Sequence, residues 1–304
     1  MKKPTFFILG APKCGTTSMA TWLSQHPNVF FSAIKEPHHF DTDHKPGIKD
    51  LASYERLFKD AGDAHLQVGE ASVRYLNSDM AVRNILDYSP EAKFIVMVRN
   101  PVEMAASLHE QYVFTLNEDV ESFEKAWRLQ SARAQGQNIP LRCVDPKHLQ
   151  YGSYCSLGRQ LERLFGAVSP SRVRIVFMED LNTSAGEVYQ SLLEFLELPA
   201  WQPDSFVRLN AAKQWKNKLL ATLVTLAVRA KIAMGLRAKS FGVGTAISKW
   251  NRIERPRATL TPEMRTILED YFREDILLLS RLTGRDLGHW FQSSRSFQRS
   301  DAQA

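Results

Sequence analysis

The sequence predicts an α/β protein: a three-layer α/β/α domain around a central, mostly parallel sheet. Two stretches carry that prediction. The run Phe6-Phe7-Ile8-Leu9 is short and wholly apolar, as a strand buried on both faces requires. It passes through a turn bounded by Gly10 and Gly15 into an apolar helical pattern at Met19, Trp22 and Leu23. The run Lys93-Phe94-Ile95-Val96-Met97-Val98 repeats the arrangement, ending in Arg99-Asn100 with Pro101 in the first turn of the next helix. Strands alternating with helices in this way build parallel sheets covered on both faces. The chain has 304 residues, 44% of them hydrophobic, enough for one such core. A single domain over 1–304 is expected.

The remaining elements follow in order. The first helix is expected from about Thr16 to Gln25, stopped by His26-Pro27 because proline restricts the residue before it. Val29–Phe31 reads as a second strand and Ala33–Asp41 as a polar loop. A short helix over Tyr54–Lys59 precedes a third strand, Gln67–Ser72. Ser78 caps a helix through Tyr88. Glu121–Gln135 reads as one helix with Phe123, Ala126, Trp127 and Leu129 inward. An amphipathic helix follows Tyr154 through Leu157, Leu161, Leu164 and Phe165. Arg172–Phe177 is a further parallel strand closed by Met178–Leu181, and Ser184–Leu196 a helix that ends before Pro199. Thr261-Pro262-Glu263 opens a long last helix that stops at Gly284.

Composition narrows the function classes. The formal net charge of +6 suits an anionic cofactor or acceptor but is too small an excess to indicate nucleic acid. Cys14, Cys143 and Cys155 are few, odd in number and outside metal-ligand spacing, so reduced thiols in a cytoplasmic setting are expected, with no metal. Met1-Lys2-Lys3 runs straight into the first strand, so a cleaved leader is not expected, and no run is long enough to span a membrane. Asn210–Trp250 stands apart: it is basic, with Leu219, Leu220, Leu223 and Leu226 at helical spacing. Within 210–258 it reads as a helical lid or acceptor-site insertion, or as a peripheral membrane contact. A nucleic-acid patch is disfavoured, because no aromatic series interleaves the charges.

The stretch Gly10-Ala11-Pro12-Lys13-Cys14-Gly15-Thr16-Thr17-Ser18 has the make-up of an anion cradle. A helix N-terminus presents unpaired N–H groups and the positive end of its dipole, and a phosphate fits there. The nucleotide-triphosphate loop has Lys directly after its second glycine. Here that position is Thr16 and the lysine, Lys13, lies inside the loop. The cradle is therefore P-loop-like without being a Walker motif. Cys14 in this loop is a small filler, or a thiol whose pKa the helix end and Lys13 lower. The strand Lys93–Val98 ends in Arg99, which suits phosphate, where a nucleotidase would place a Mg²⁺-binding Asp.

Pro12-Lys13-Cys14-Gly15-Thr16-Thr17-Ser18 resembles the 5′-phosphosulfate loop of sulfotransferases that use 3′-phosphoadenosine 5′-phosphosulfate (PAPS). Arg99-Asn100-Pro101 with Ser107 resembles that family's 3′-phosphate site, and Lys35-Glu36-Pro37-His38-His39-Phe40 its acceptor loop, nearest in pattern to the heparan-sulfate branch. The resemblance implies Glu36 as general base, with His38 and His39 as rivals, and Lys13 as the group that stabilises the leaving oxygen. It implies PAPS as co-substrate, adenosine 3′,5′-bisphosphate (PAP) as product, and Tyr154, Arg255 and Arg257 as further cofactor contacts. Gly69-Glu70-Ala71-Ser72 also fits, but Ala71 stands where glycan-modifying members carry lysine, and Arg74 is the candidate substitute. Glu70 is either an acceptor-site acid or a structural carboxylate paired with Arg74. The implied activity is sulfuryl transfer to a hydroxyl or amine of a small-molecule, lipid or glycan acceptor. A P-loop-like ATP-dependent kinase and a non-catalytic nucleotide-binding or membrane-surface module are the alternatives. Oligomeric state is not legible in the sequence.

Overall fold

The computed structural model describes residues 2–45, 47–203, 205–207, 213–215, 252–254 and 259–291. Five strands form one sheet in the order β2-β3-β1-β4-β5: β1 Phe6–Gly10, β2 Val29–Phe31, β3 Gln67–Ala71, β4 Lys93–Val98 and β5 Val173–Phe177. Every pairing is parallel. β1 is central, with Phe6 in register with Gly69 on one side and Lys93 on the other. All five β1 residues are buried, as expected for a strand covered on both faces. The central sheet and its helical cover confirm the predicted class.

The helices differ from the sequence reading mainly at their ends. α1 (Thr16–Leu23) stops two residues early. The expected helix over 54–59 begins sooner, as α2 (Leu51–Glu55), because Asp50 accepts a hydrogen bond from Ser53 N, and it tightens into a 3₁₀ turn at Arg56–Phe58. α3 is Ala81–Tyr88; Ser78 Oγ does accept from Met80 N and Ala81 N, ahead of the first helical residue. α4 (Pro101–Phe114) has Asn100 as its cap. The single helix expected over 121–135 is two, α5 (Phe123–Arg128) and α6 (Gln130–Ala134), joined at Leu129. α7 (Tyr151–Cys155) and α8 (Leu157–Ala167) follow. Met178–Thr183 is a short helix, α9, directly after β5, and α10 is Ala185–Phe195.

The last helix, α11 (Pro262–Thr283), ends at Gly284 in the left-handed conformation, as predicted. It packs on α8: Asp275 accepts from Gly158 N (2.8 Å) and Arg159 N (2.9 Å) and so caps that helix from a neighbour. A Cβ at Gly158 would lie 2.3 Å from the Asp275 carbonyl, which explains glycine at this crossing. Most of the proposed 210–258 insertion lies outside the described residues, as do Arg255 and Arg257. Within it, Lys213–Trp215 (β6) and Arg252–Glu254 (β7) form an antiparallel pair that sequence reading did not anticipate. Among the described residues, no helix is long and apolar enough to cross a membrane.

Candidate active site

The functional side chains gather at the carboxyl ends of β1, β3 and β4, where open α/β sheets bind ligands. After β1 the loop turns at Gly15, whose φ of +87° a side chain would oppose. A Cβ there would also meet Leu181 Cδ1 at 3.2 Å. No side chain caps α1. Glycine in the turn and a helix start without a side-chain cap suit an anion such as a phosphate. At Gly10 a Cβ would lie 2.6 Å from the Val73 carbonyl, so the segment after β3 can cross closely over the cradle.

One cleft of about 470 Å³ opens over this loop. Pro12, Lys13, Gly15, Thr16 and Thr17 line it on one side, with Glu36, His38 and Arg74 also on its wall. Tyr154 completes the wall with Tyr112 and His148. Lys13 Nζ donates to Gln111 Oε1 (3.1 Å) on α4. Lys13, Glu36 and His38 all have left-handed backbones (φ of 65°, 64° and 49°). Non-glycine residues held this way cluster at functional sites, where the surrounding structure enforces the conformation.

Here the enforcing partner is the end of β3. Glu36 N donates to the Ala71 carbonyl (2.9 Å) and His38 N to Ser72 Oγ (3.1 Å). His38 Nε2 is 3.5 Å from Glu36 Oε2. On its other side Nδ1 is 3.2 Å from Asp41 Oδ2, close enough for an ion pair though not aligned as a hydrogen bond. Burial pushes the Glu36 carboxyl up, but the His38 contact and the charge of Lys35, whose Nζ is 2.5 Å away, outweigh it and hold the group at about 2. Burial pulls His38 down, yet Asp41 and Glu36 together raise it above its ordinary value. The buried Asp41 in turn accepts from Arg74 Nε (2.8 Å).

Several expectations change. Arg74 pairs with Asp41 and not with Glu70. Glu70 is fully buried beneath the acceptor loop, bonded by Tyr54 OH (3.1 Å), Tyr75 OH (3.0 Å) and Ser72 Oγ (2.7 Å). It does not line the cleft, and its role is to hold Tyr75, whose hydroxyl accepts from His39 N. Burial pushes its carboxyl up to about 7. His39 stacks on Tyr54 and bonds the Ile48 carbonyl, which leaves His38 as the histidine beside Glu36. Cys14 points into the core with its Sγ 3.4 Å from the Pro12 carbonyl. Burial drives its thiol up to about 12 against the pull of Arg99 and Lys13, which fits the small filler and not the lowered thiol.

Arg99 lines a second cleft of about 290 Å³ with Asn100, Met178, Glu179, Asn182, His289 and Trp290. Met178 lines both clefts, so the cradle and the Arg99 cleft adjoin. Ser107 is buried in α4 and lines neither cleft, and Ser18 is buried in the first turn of α1. Asp41, Gln111, Tyr112 and His148 were missed as cleft or support residues. Asp41 alone had a local signal, three residues after His38.

The sequence profile of the sulfotransferase domain matches residues 3–280. The chain belongs to the sulfotransferase domain family. The family's chemistry is sulfuryl transfer from PAPS, in line with the Lys13 loop and Arg99. This sulfotransferase is 28% identical to mouse carbohydrate sulfotransferase 15 over 251 residues, 64% of the chain and 44% of the relative. It is 36% identical to human heparan sulfate glucosamine 3-O-sulfotransferase 6 over 108 residues, 36% of the chain and 30% of that relative. The chain therefore spans less than half the length of these curated relatives. In fold it is similar to a crystal structure of a sulfotransferase from Alicyclobacillus acidocaldarius, with a TM-score of 0.71 and 24% identity over 95% of this chain and 99% of the other.

Proposed function

We propose that this sulfotransferase moves the sulfuryl group of PAPS to a hydroxyl of a carbohydrate acceptor, releasing PAP. The observation that carries the reading is the shared cleft, with the Lys13 cradle on one wall and the Glu36–His38 pair on another. The donor supplies a sulfuryl group activated by its bond to the 5′-phosphate. Glu36 receives the acceptor proton as the new O–S bond forms and the bond to the bridging oxygen breaks. Lys13 and the N-terminus of α1 meet the charge that develops on that oxygen, a preorganised electrostatic contribution. Arg99 in the adjoining cleft fits the 3′-phosphate.

At neutral pH Glu36 is ionised and able to take a proton, but a carboxyl held at about 2 is a weak base. His38 keeps the carboxylate aimed, and Asp41 and Arg74 keep His38 in place. The carbohydrate class is supported by the names of the relatives. Ala71, where glycan-modifying members carry lysine, argues for an acceptor other than a heparan-type chain. A cytoplasmic setting, supported by three free thiols, is part of this proposal.

The test is sulfur-35 transfer from labelled PAPS to a panel of mono-, oligo- and polysaccharides, amines, lipid alcohols and phenols. Label on a saccharide hydroxyl supports the reading. Label on lipid alcohols or phenols alone, with saccharides blank, overturns the acceptor class.

A further inference from the structure

Pro146–Leu149 is a 3₁₀ turn opened by Asp145. Three residues per turn bring positions i and i+3 to the same side, here Asp145 and His148. Asp145 is locked there: Oδ1 accepts from Lys147 N (3.0 Å) and Oδ2 from Lys45 N (3.2 Å). The segment before α2 adds His44, whose Nδ1 is 3.1 Å from Asp145 Oδ2. The two imidazole rings lie nearly parallel, 15° apart with centroids at 5.9 Å. One ligating atom from each residue falls within 4.8 Å of the others, and all three residues are buried.

The ring of His148 points to a ligand. The residue is 8% exposed, and its Nε2 makes no hydrogen bond although it faces Asp145 Oδ2 at 3.9 Å. A buried polar nitrogen with no partner calls for an explanation. Two imidazoles and one carboxylate are the donor set of zinc and its neighbours. Bonds of about 2.0–2.2 Å put tetrahedral ligand atoms roughly 3.3–3.5 Å apart. The separations of 3.1 Å and 3.9 Å to Asp145 bracket that value.

We infer that His44, Asp145 and His148 form a binding site for a divalent transition-metal ion of the zinc type. The ion takes the place of the proton now shared by His44 Nδ1 and Asp145 Oδ2, and water completes its shell. Asp43 is 3.8 Å from His44 Nε2, with Lys147 Nζ 3.6 Å from that same carboxylate, and Arg74, paired with Asp41, also donates to the Lys45 carbonyl (2.7 Å) at the edge of the site. His148 stacks on Tyr112 in the cleft wall, and His44 continues the segment that carries Glu36, His38 and Asp41. The ion thus staples the acceptor loop to the opposite wall, a structural role outside the transfer step.

The experiment uses the untagged full chain, stripped with EDTA and dialysed against micromolar Zn²⁺. Metal per chain is counted by atomic emission, unfolding is followed with and without Zn²⁺, and Co²⁺ replaces Zn²⁺ for absorption spectra. The expected result is one Zn²⁺ per chain, a raised Tm, and the intense visible bands of four-coordinate Co²⁺. His148→Ala and His44→Gln should lose all three responses while keeping the native circular dichroism. If His148→Ala does not fold, His148→Gln serves the same comparison, and the Co²⁺ spectrum of the unmodified chain reports the ligand set directly. A chain that holds no Zn²⁺, or variants that still bind one equivalent, would overturn the site.

Discussion

Glu36 Oε2 and His38 Nε2 stand 3.5 Å apart, both on left-handed backbone and both anchored to the end of β3. In the proposed mechanism that relationship aims the carboxylate, and together with the Lys35 charge it outweighs burial and holds the group at about 2. Replacing Glu36 with Gln should lower kcat by about 10²–10⁴, the usual worth of a positioned base. PAP affinity, read by calorimetry, should change less than about twofold, since the cradle is untouched. A variant that kept full turnover would remove Glu36 from the proton transfer.

His38→Gln keeps the bulk but removes the raised, cation-capable ring beside Glu36. The carboxyl should then rise from about 2 toward its ordinary value, because one of the contacts holding it down is gone. The acidic limb of the kcat/KM profile should shift to higher pH by the same amount. A profile that overlays the unmodified enzyme would mean the pair does not communicate.

Lys13→Ala should reduce turnover by about 10²–10³, the cost of losing one preorganised donor at a developing charge. Single-turnover rates with saturating donor separate this from weaker binding. Arg99→Ala should act on the other phosphate. Its loss should weaken PAP by roughly ten- to a hundredfold, as for a hydrogen bond to a charged group, while adenosine 5′-phosphosulfate, which lacks the 3′-phosphate, loses little. Thermal shifts with the two ligands make the comparison.

Glu70 offers a stability prediction. Its folded pKa of about 7 lies above its ordinary value of 4.5, so the protonated form is favoured in the fold. The stability linked to it is complete below pH 4.5 and is lost as pH rises through about 7, up to roughly 3 kcal/mol. Glu70→Gln mimics the protonated acid and should flatten denaturant stability between pH 5 and 8. Equal slopes for both proteins would show that Glu70 is not the group responsible.

Cys14 should resist iodoacetamide at pH 8 in the native protein, since the thiol is pushed up to about 12 and its side is closed. Peptide mapping after native and denatured labelling gives the answer.

The two candidate donor segments stand out in the sequence because their signals are local, although Ser18 and Ser107 prove buried and line neither cleft. The Lys13 loop and Arg99-Asn100-Pro101 each sit within one strand-to-helix turn, where residue order dictates geometry. The acceptor side was half legible. Glu36 and His38 could be named, but the partner of Arg74 is Asp41, 33 residues away, and no spacing rule reaches that far. Glu70 is structural, one of its two expected roles, but its partners are Tyr54, Tyr75 and Ser72 in place of Arg74, and only folding reveals that it is buried. The break at Leu129 escaped because no glycine or proline marks it: Leu129 itself stays in the right-handed helical region (φ −78°, ψ −8°). His44 and His148 are 104 positions apart, so their meeting was invisible in one dimension.

The place of β1 at the centre of the sheet divides the enzyme into two inheritable halves. The strands on one side, β3 and β2, carry the loop with Glu36, His38 and Arg74. On the other side lie β4 and β5, with Arg99 at the end of β4. On the proposed mechanism, changes in the loops after β2 and β3 alter what is sulfated with least effect on Arg99, although Tyr112 and His148 of the same cleft come from the β4 side. The same split gives a protein engineer a seam: exchange of the segment between β2 and α3 should transplant acceptor preference while the nucleotide half stays as it is.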